Sequence, residues 1–208
     1  IAMHLKYFFV EQERASRRYL KLLDKSVNIN DLAFCVMNEH TPADLFKARK
    51  WLTEGKDIGL ISEAGCPAVA DPGSEVVREA HRIGAKVIPL VGPDSILLAL
   101  MASGMNGQSF QFTGYLPVKQ EERIKVIREM EQISGKKNQT QIFMETPYRN
   151  NALLQDILQH CQADTLLCVA ADITTPQEFI KTAAVQEWKK NIPDLHKRPA
   201  IFLLYRSH

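Results

Sequence analysis

Residues 59–104, GLISEAGCPAVADPGSEVVREAHRIGAKVIPLVGPDSILLALMASG, constrain the fold more than any other stretch of this chain. A short apolar run, residues 58–62, empties into a loop at 63–73 that holds two glycines, two prolines and two acids. Connections between strand and helix usually take about two to six residues, so a loop this long points to function rather than linkage. Ser74 then caps a helix whose apolar Val76, Val77, Ala80 and Ile83 fall at helical spacing, and Gly84 suits its C-terminal stop. Residues 87–91 read as the next strand. Gly92-Pro93-Asp94-Ser95 opens a further helix, with Asp94 or Ser95 as cap and Ile96, Leu97, Leu98, Leu100 and Met101 as its body. Strand, loop and helix in alternation specify parallel strands, and open α/β sheets bind ligands in the loops beyond the carboxyl ends of those strands.

The 208 residues, 45% hydrophobic, suffice for a real core in one large or two small domains. A net charge of +2 excludes a general polyanion binder, so nucleic-acid contact requires local basic patches. Cys35, Cys66, Cys161 and Cys168 are scattered without a C-x-x-C pair, which favours a reducing compartment and argues against zinc. No signal, lipidation motif or bilayer-length apolar run is visible, and the expected location is the cytoplasm.

In chain order, residues 1–10 form an apolar run that begins abruptly, with a buried strand at 7–10. Residues 11–23 follow as a helix carrying Arg14, Arg17, Arg18 and Lys21 on its wetter side. A solvated helix face is the simpler reading of those cations, and a phosphate-contacting patch is the other. Residues 32–37 are a strand. After Asn38-Glu39-His40, Thr41 is expected as N-cap and Pro42 as the first residue of a helix that reaches about Leu52. Beyond Gly104 the pattern changes. A domain boundary is expected near 103–109, dividing the chain into residues 1–105 and 106–208. The second part reads as a strand around Phe110, Phe112 and Gly114, a charged helix at 121–134 and a polar loop at 135–139. A strand at 140–144, a helix opened by Pro147 and strands at 166–170, 179–183 and 199–205 complete it. These connections mix hairpin and crossover lengths, so a mixed sheet with helices on its faces is expected.

Neither G-x-G-x-x-G after the first strand nor G-x-x-x-x-G-K-[ST] occurs, so the usual phosphate cradles are missing. Irregular backbone, small side chains and helix N-termini remain. These suit S-adenosylmethionine, whose carboxylate accepts from free N–H groups and whose sulfonium faces carbonyls, although other small ligands fit the same description.

Several motifs occur in order: Glu63-Ala64-Gly65-Cys66-Pro67-Ala68-Val69-Ala70-Asp71-Pro72-Gly73, then Gly92-Pro93, then Phe112-Thr113-Gly114-Tyr115-Leu116-Pro117, then Glu145-Thr146-Pro147-Tyr148-Arg149. With Asn38-Glu39-His40 ahead of them, they resemble the tetrapyrrole-methylase superfamily, and most closely its bacterial small-subunit ribosomal RNA cytidine 2′-O-methyltransferases. Those enzymes carry N-E-H, D-A-G-T-P-x-I-S-D-P-G, P-G-P-S-A, F-x-G-F-L-P, E-S-P-x-R and E-L-T-K. The resemblance implies two α/β domains, the first mostly parallel and the second mixed, with S-adenosylmethionine in the cleft between them and commonly a homodimer. It implies cofactor contacts from Gly65, Cys66, Pro67, Asp94, Ser95, Met144, Glu145, Thr146, Pro199 and Ala200. Lys119, Arg123 and Arg149 become candidates for RNA phosphates, and the implied partner is ribosomal RNA or the small ribosomal subunit.

Three departures bear on this. The resemblance implies a first strand and loop ahead of Tyr7 that this sequence does not contain, so one wall of the cofactor site is expected either to be truncated or to lie outside the numbered residues. P-G-P-S-A has become Val91-Gly92-Pro93-Asp94-Ser95. E-L-T-K has become Asp172-Ile173-Thr174-Thr175, without its lysine. Methyl transfer to a hydroxyl is an in-line displacement that requires no metal, and orientation supplies on the order of 7–11 kcal/mol. A carboxylate accepting the hydroxyl proton is the remaining need; Asp71 and Glu39 are the candidates, with Glu63 and Glu145 beside them. The bland alternatives are a turn former for Asp71, a loop cap for Glu63 and an ion pair with Arg149 or Arg123 for Glu145. Other readings are a corrin or porphyrin methylase, a non-catalytic ligand- or RNA-binding relative, and a Cys66 nucleophile with His40 as base.

Overall fold

The run Tyr7–Val10 (β1) shows no polar alternation because both its faces are covered: Phe8, Phe9 and Val10 are fully buried. In the computed structural model, which describes residues 1–206, β1 pairs in parallel with Ala33–Val36 (β2) on one side and Ile58–Ile61 (β3) on the other. The helices Glu13–Leu23 (α1), Leu45–Thr53 (α2) and Ser74–Arg82 (α3) connect and follow these strands. Phe9, Cys35 and Met37 pack with Ala48 and Trp51 of α2 and Val76 of α3. Phe8 and Val10, on the opposite face, pack with Leu20 of α1.

The chain divides into two compact units, Ile1–Pro93 and Asp94–His208. In the second unit a five-stranded sheet is built from Phe110–Tyr115 (β4), Thr140–Met144 (β5), Leu166–Ala171 (β6), Phe179–Ala184 (β7) and Ala200–Tyr205 (β8), in the order β4-β5-β8-β6-β7. β4 and β5 are parallel and the other pairings antiparallel, so the sheet is mixed as expected. Its strands serve two cores. Ala200, Phe202 and Leu204 of β8 face Gln120–Lys137 (α5) and Asn150–His160 (α6), through Ile127, Met130, Leu153, Leu154 and Ile157. Ile201 and Leu203 face the other way, onto Ile96, Ala99 and Leu100 of Ser95–Ser103 (α4). That period of two across a continuous apolar run marks a strand covered on both sides. The short helix Val185–Trp188 (α7) seals one end, with the Trp188 Nε1–H donating to the Leu167 carbonyl at 2.9 Å.

Five expectations shift. α4, placed in the first domain by sequence, packs on the second sheet, so the division falls before Asp94 rather than after 105. Residues 87–91 have no regular secondary structure and join no ladder among the described residues; Ile88 and Leu90 are exposed, and apolar content alone makes no strand without a neighbour. The cap of α2 is Asp44, which accepts from the Lys47 amide at 2.9 Å, because residues 38–41 are held in a tight turn of their own. α5 runs through Gly135 to Lys137, with left-handed Asn138 as its stop. α6 opens at Asn150 rather than Pro147, because Thr146–Arg149 form a turn closed by the Arg149 amide on the Thr146 carbonyl at 2.9 Å.

Candidate functional site

All three parallel strands of the first unit end at one edge, and their loops are tied to one another. The Glu11 amide donates to the Ile61 carbonyl at 3.1 Å, and the Met37 amide to the Val10 carbonyl at 2.9 Å. The Glu11 carboxylate accepts from the Glu63 amide at 2.8 Å, which clamps the start of the long loop to the exit of β1. Beyond β2, Asn38 and Thr41 exchange backbone bonds, and the Asn38 side-chain oxygen accepts from the His40 and Thr41 amides at 3.0 and 2.9 Å. Asparagine suits this place because its amide mimics a backbone turn.

The loop between β3 and α3 is tightly wound. The Ala68 amide donates to the Pro72 carbonyl and the Val69 amide to the Cys66 carbonyl, at 3.2 and 3.1 Å. Ala68 and Ala70 hold left-handed φ of 68° and 60°, a conformation that costs a residue with a side chain about 1–3 kcal/mol and that collects at functional sites. Gly73 has φ 128°, a backbone conformation that favours glycine, while a Cβ there would make only ordinary contact with the Met37 Cε at 3.4 Å. Between this turn and the Asn38 loop lies a cavity of about 160 Å³, lined by residues that include Met37, Asn38, Thr41, Pro72, Gly73 and Ser74. α3 begins here on Gly73 with no side-chain cap, so Ser74, expected as the cap, is instead the first helical residue.

Gly65, Cys66, Pro67 and Asp71 all lie on this loop, and Glu39 at the exposed tip of the neighbouring turn. The Asp71 Oδ2 is 3.9 Å from where a Cβ on Gly65 would stand. The Cys66 thiol donates to the Pro93 carbonyl, at 3.6 Å, and packs where Gly92 leaves room. Its partner is therefore a backbone oxygen rather than His40, the reverse of what a Cys–His nucleophile requires.

In the second unit, the Asp94 carboxylate caps α4, accepting from the Ile96 and Leu97 amides at 2.9 and 3.4 Å, with exposed Ser95 as the first helical residue. Met144 ends β5 and leads into Glu145 and Thr146. Glu145 is buried; its Oε1 accepts from the Thr146 amide at 2.7 Å and from Arg149 at 2.5 Å. Its Oε2, the Arg149 Nε and the Asn150 Oδ1 are buried without a hydrogen-bond partner among the described residues. A cluster of that kind calls for an ordered water or a ligand. Pro199 accepts from the Asp172 amide at 2.9 Å and delivers Ala200 into β8.

Lys119 stands exposed before α5, 3.3 Å from Glu122. Arg123 is buried, paired with Asp156 at 2.6 Å and donating to the Val118 carbonyl at 2.9 Å, so it is committed inside the unit and not presented to a phosphate. Arg149 is one-third exposed and engaged with Glu145. Thr175, where the lysine was expected, turns its hydroxyl onto the Asp172 carbonyl at 2.8 Å, and Asp172 in turn holds Arg198 at 2.5 Å.

Sequence reading missed Glu11, Asn150 and the turn-forming role of Asn38. An acid directly after a strand, at the carboxyl edge of a parallel sheet, was the available signal for Glu11. No cluster of three or more His, Cys, Asp or Glu with metal-binding geometry exists among the described residues, and none of their helices is long and apolar enough to cross a membrane.

Among known proteins, the ribosomal RNA small subunit methyltransferase I of Vibrio cholerae is 36% identical over 136 residues, covering 65% of this chain and 46% of that protein. Its Bacillus subtilis counterpart is 38% identical over 136 residues, covering 65% and 45%. The Escherichia coli counterpart is 31% identical over 192 residues, covering 90% and 65%. The chain thus spans about half the length of the first two relatives. Two solved structures share the fold. The methyltransferase CobJ has a TM-score of 0.58 at 14% identity, over 99% of this chain and 84% of that one. Diphthine synthase has a TM-score of 0.63 at 16% identity, over 98% and 80%. No protein-family model matches the chain. On the sequence likeness to these bacterial proteins, the chain belongs to the family of the ribosomal RNA small subunit methyltransferase I proteins, and it shares the fold of CobJ and diphthine synthase.

Proposed function

We propose that the protein is an S-adenosylmethionine-dependent methyltransferase that modifies a ribose 2′-hydroxyl of a cytidine in small-subunit ribosomal RNA. The observation that carries this reading is the strained loop from Glu63 to Gly73, clamped by Glu11 at the carboxyl edge of the parallel sheet. The motif shared with ribosomal RNA methyltransferases falls on that loop. Its cavity of about 160 Å³ is smaller than the roughly 300–1,000 Å³ of a complete small-molecule site, so it fits one part of the cofactor.

When bound, S-adenosylmethionine supplies an electrophilic methyl on a sulfonium. Gly65, Cys66 and Pro67 present small side chains and a bent backbone to it. Asp94 and Ser95, Met144 to Thr146, and Pro199 with Ala200 are the further contacts of the proposal. The buried, unpartnered Glu145 Oε2 supports a ligand donor at that turn. Asp71 and Glu39, both on the parallel-strand loops, are the proposed acceptors of the hydroxyl proton. Lys119 and Arg149 are the proposed phosphate contacts, and dimerisation and a cytoplasmic location belong to the same reading. The neighbours at 14% and 16% identity share the fold alone and do not favour a corrin or porphyrin substrate.

Titration calorimetry with S-adenosylmethionine, followed by methyl incorporation into small subunits and into deproteinised ribosomal RNA, tests the reading. Saturable binding and label at a 2′-O-cytidine are expected. Loss of a general base costs about 10²–10⁴ in rate, so Asp71→Asn or Glu39→Gln should lose at least a hundredfold in kcat with cofactor affinity retained. Absence of cofactor binding by the parent protein overturns the proposal.

A further inference from the structure

Within residues 11–26 there are five cations, Arg14, Arg17, Arg18, Lys21 and Lys25, and three acids, Glu11, Glu13 and Asp24. Each acid is already committed. Glu11 accepts from the Glu63 amide, Glu13 pairs with Arg17 at 2.5 Å, and Asp24 accepts from the Ser26 amide and hydroxyl. Arg14, Arg18 and Lys25 form no ion pair among the described residues; Lys21 donates to the Lys25 carbonyl at 3.0 Å and reaches Asp24 only through its Coulombic field.

Arg14, Arg18 and Lys21 share one exposed stripe of α1, opposite the buried Ser16 and Leu20. The helical rise separates them by about 6 and 4.5 Å along the axis. Like charges at i,i+3 and i,i+4 weaken a helix, and a merely solvated face ordinarily alternates its signs. Leu22, 72% exposed, borders the stripe, and Tyr19, 49% exposed, lies further round the same side of the helix, apolar surface that phosphate contacts alone do not require. A line of cations outside ion pairs, with an exposed ring on the same helix, is the combination that takes a nucleic-acid strand, with phosphates on the charges and a base reaching round to the ring. The stripe begins one turn beyond Glu11, the residue that clamps the long loop.

We propose that the Arg14, Arg18 and Lys21 face of α1, continued by Lys25 and flanked by Tyr19 and Leu22, is an RNA docking ridge that leads substrate to the edge bearing the Gly65 loop. This rests on the RNA methyltransferase reading for its biological sense, and its test separates the two. Binding of labelled, deproteinised small-subunit ribosomal RNA is followed by anisotropy across salt concentrations. The proteins compared are the parent, the triple variant Arg14→Gln/Arg18→Gln/Lys21→Gln, and the control Lys50→Gln/Lys86→Gln/Lys136→Gln, which removes three exposed cations elsewhere. Each phosphate contact contributes roughly 0.7–0.9 to the log–log salt slope. The ridge variant should therefore lose about 2 units of slope and at least tenfold in affinity, and the control much less. Far-UV circular dichroism and urea midpoints verify that both variants fold.

S-adenosylmethionine titration of the same proteins reports on the function reading alone, and affinity unchanged in the ridge variant is expected. An unchanged slope in the ridge variant, equal losses in both triples, or a parent that binds no RNA while binding anionic phospholipid vesicles each overturns the ridge. A parent that binds RNA through the ridge but no cofactor overturns the methyltransferase reading and leaves the ridge standing.

Discussion

Glu79 of α3 is held by two arginines. It accepts from Arg82 twice, at 2.9 Å, and from Arg49 of α2 at 2.6 Å. The Arg82 hydrogen bonds, then that of Arg49, lower its pKa from 4.5 to about 2. A carboxylate held below its unfolded value stabilises the fold fully above that value, and the contribution is lost as pH falls through the folded one. Glu79→Gln should therefore lower the urea midpoint at pH 7, and its difference from the parent should shrink as pH falls from 4.5 towards 2. A difference that stays constant down to pH 2 would refute this. Thiols provide a second test. Cys35, Cys161 and Cys168 are buried, and burial raises the pKa of all three, whereas Cys66 is half-buried. Labelling of the native protein with a thiol reagent should therefore modify Cys66 alone at an appreciable rate, with all four reacting in denaturant. Mass mapping of the labelled peptide decides it.

At the scale of elements, caps rather than propensity set several boundaries. α4 is apolar along most of its length, and only the Asp94 carboxylate on two amides fixes where it begins. Asp94→Ala should cost about 1 kcal/mol, read as a lower urea midpoint, while Asp94→Asn should retain most of the stability. Retention in the alanine variant would mean that packing alone holds the helix start. Local chemistry was legible for α4, whose cap lies in its own sequence. It misled for residues 87–91, where five apolar or neutral residues suggested a strand. A strand exists only through its ladder, and no partner lies beside this stretch among the described residues. It misled again at Thr41 and Pro42, because the Asn38 side chain takes the local amides into a separate turn.

For the molecule as a whole, the buried pair of Arg123 and Asp156 joins α5 to α6 inside the second unit. The same guanidinium also ties down the Val118 carbonyl after β4. Removing one partner of such a pair strands the other charge and costs about 3–5 kcal/mol. Arg123→Ala should lose stability on that scale in urea unfolding. The double variant Arg123→Met/Asp156→Leu should recover most of it, and failure to recover would assign the loss to the carbonyl bonds instead. This pair shows why a charge is ambiguous in sequence: Arg123 reads as a surface cation of a charged helix, and only its neighbours across α6 bury it.

The sequence by itself determined the parallel first unit and the mixed second sheet, because periodicity, glycine placement and connection length are local properties of a chain. The division before Asp94, the lack of a ladder at 87–91, the engaged state of Glu145 and Arg123, and the cations of α1 outside ion pairs were decided only by tertiary structure. Each depends on which distant groups come within a few ångströms, and no local pattern specifies that.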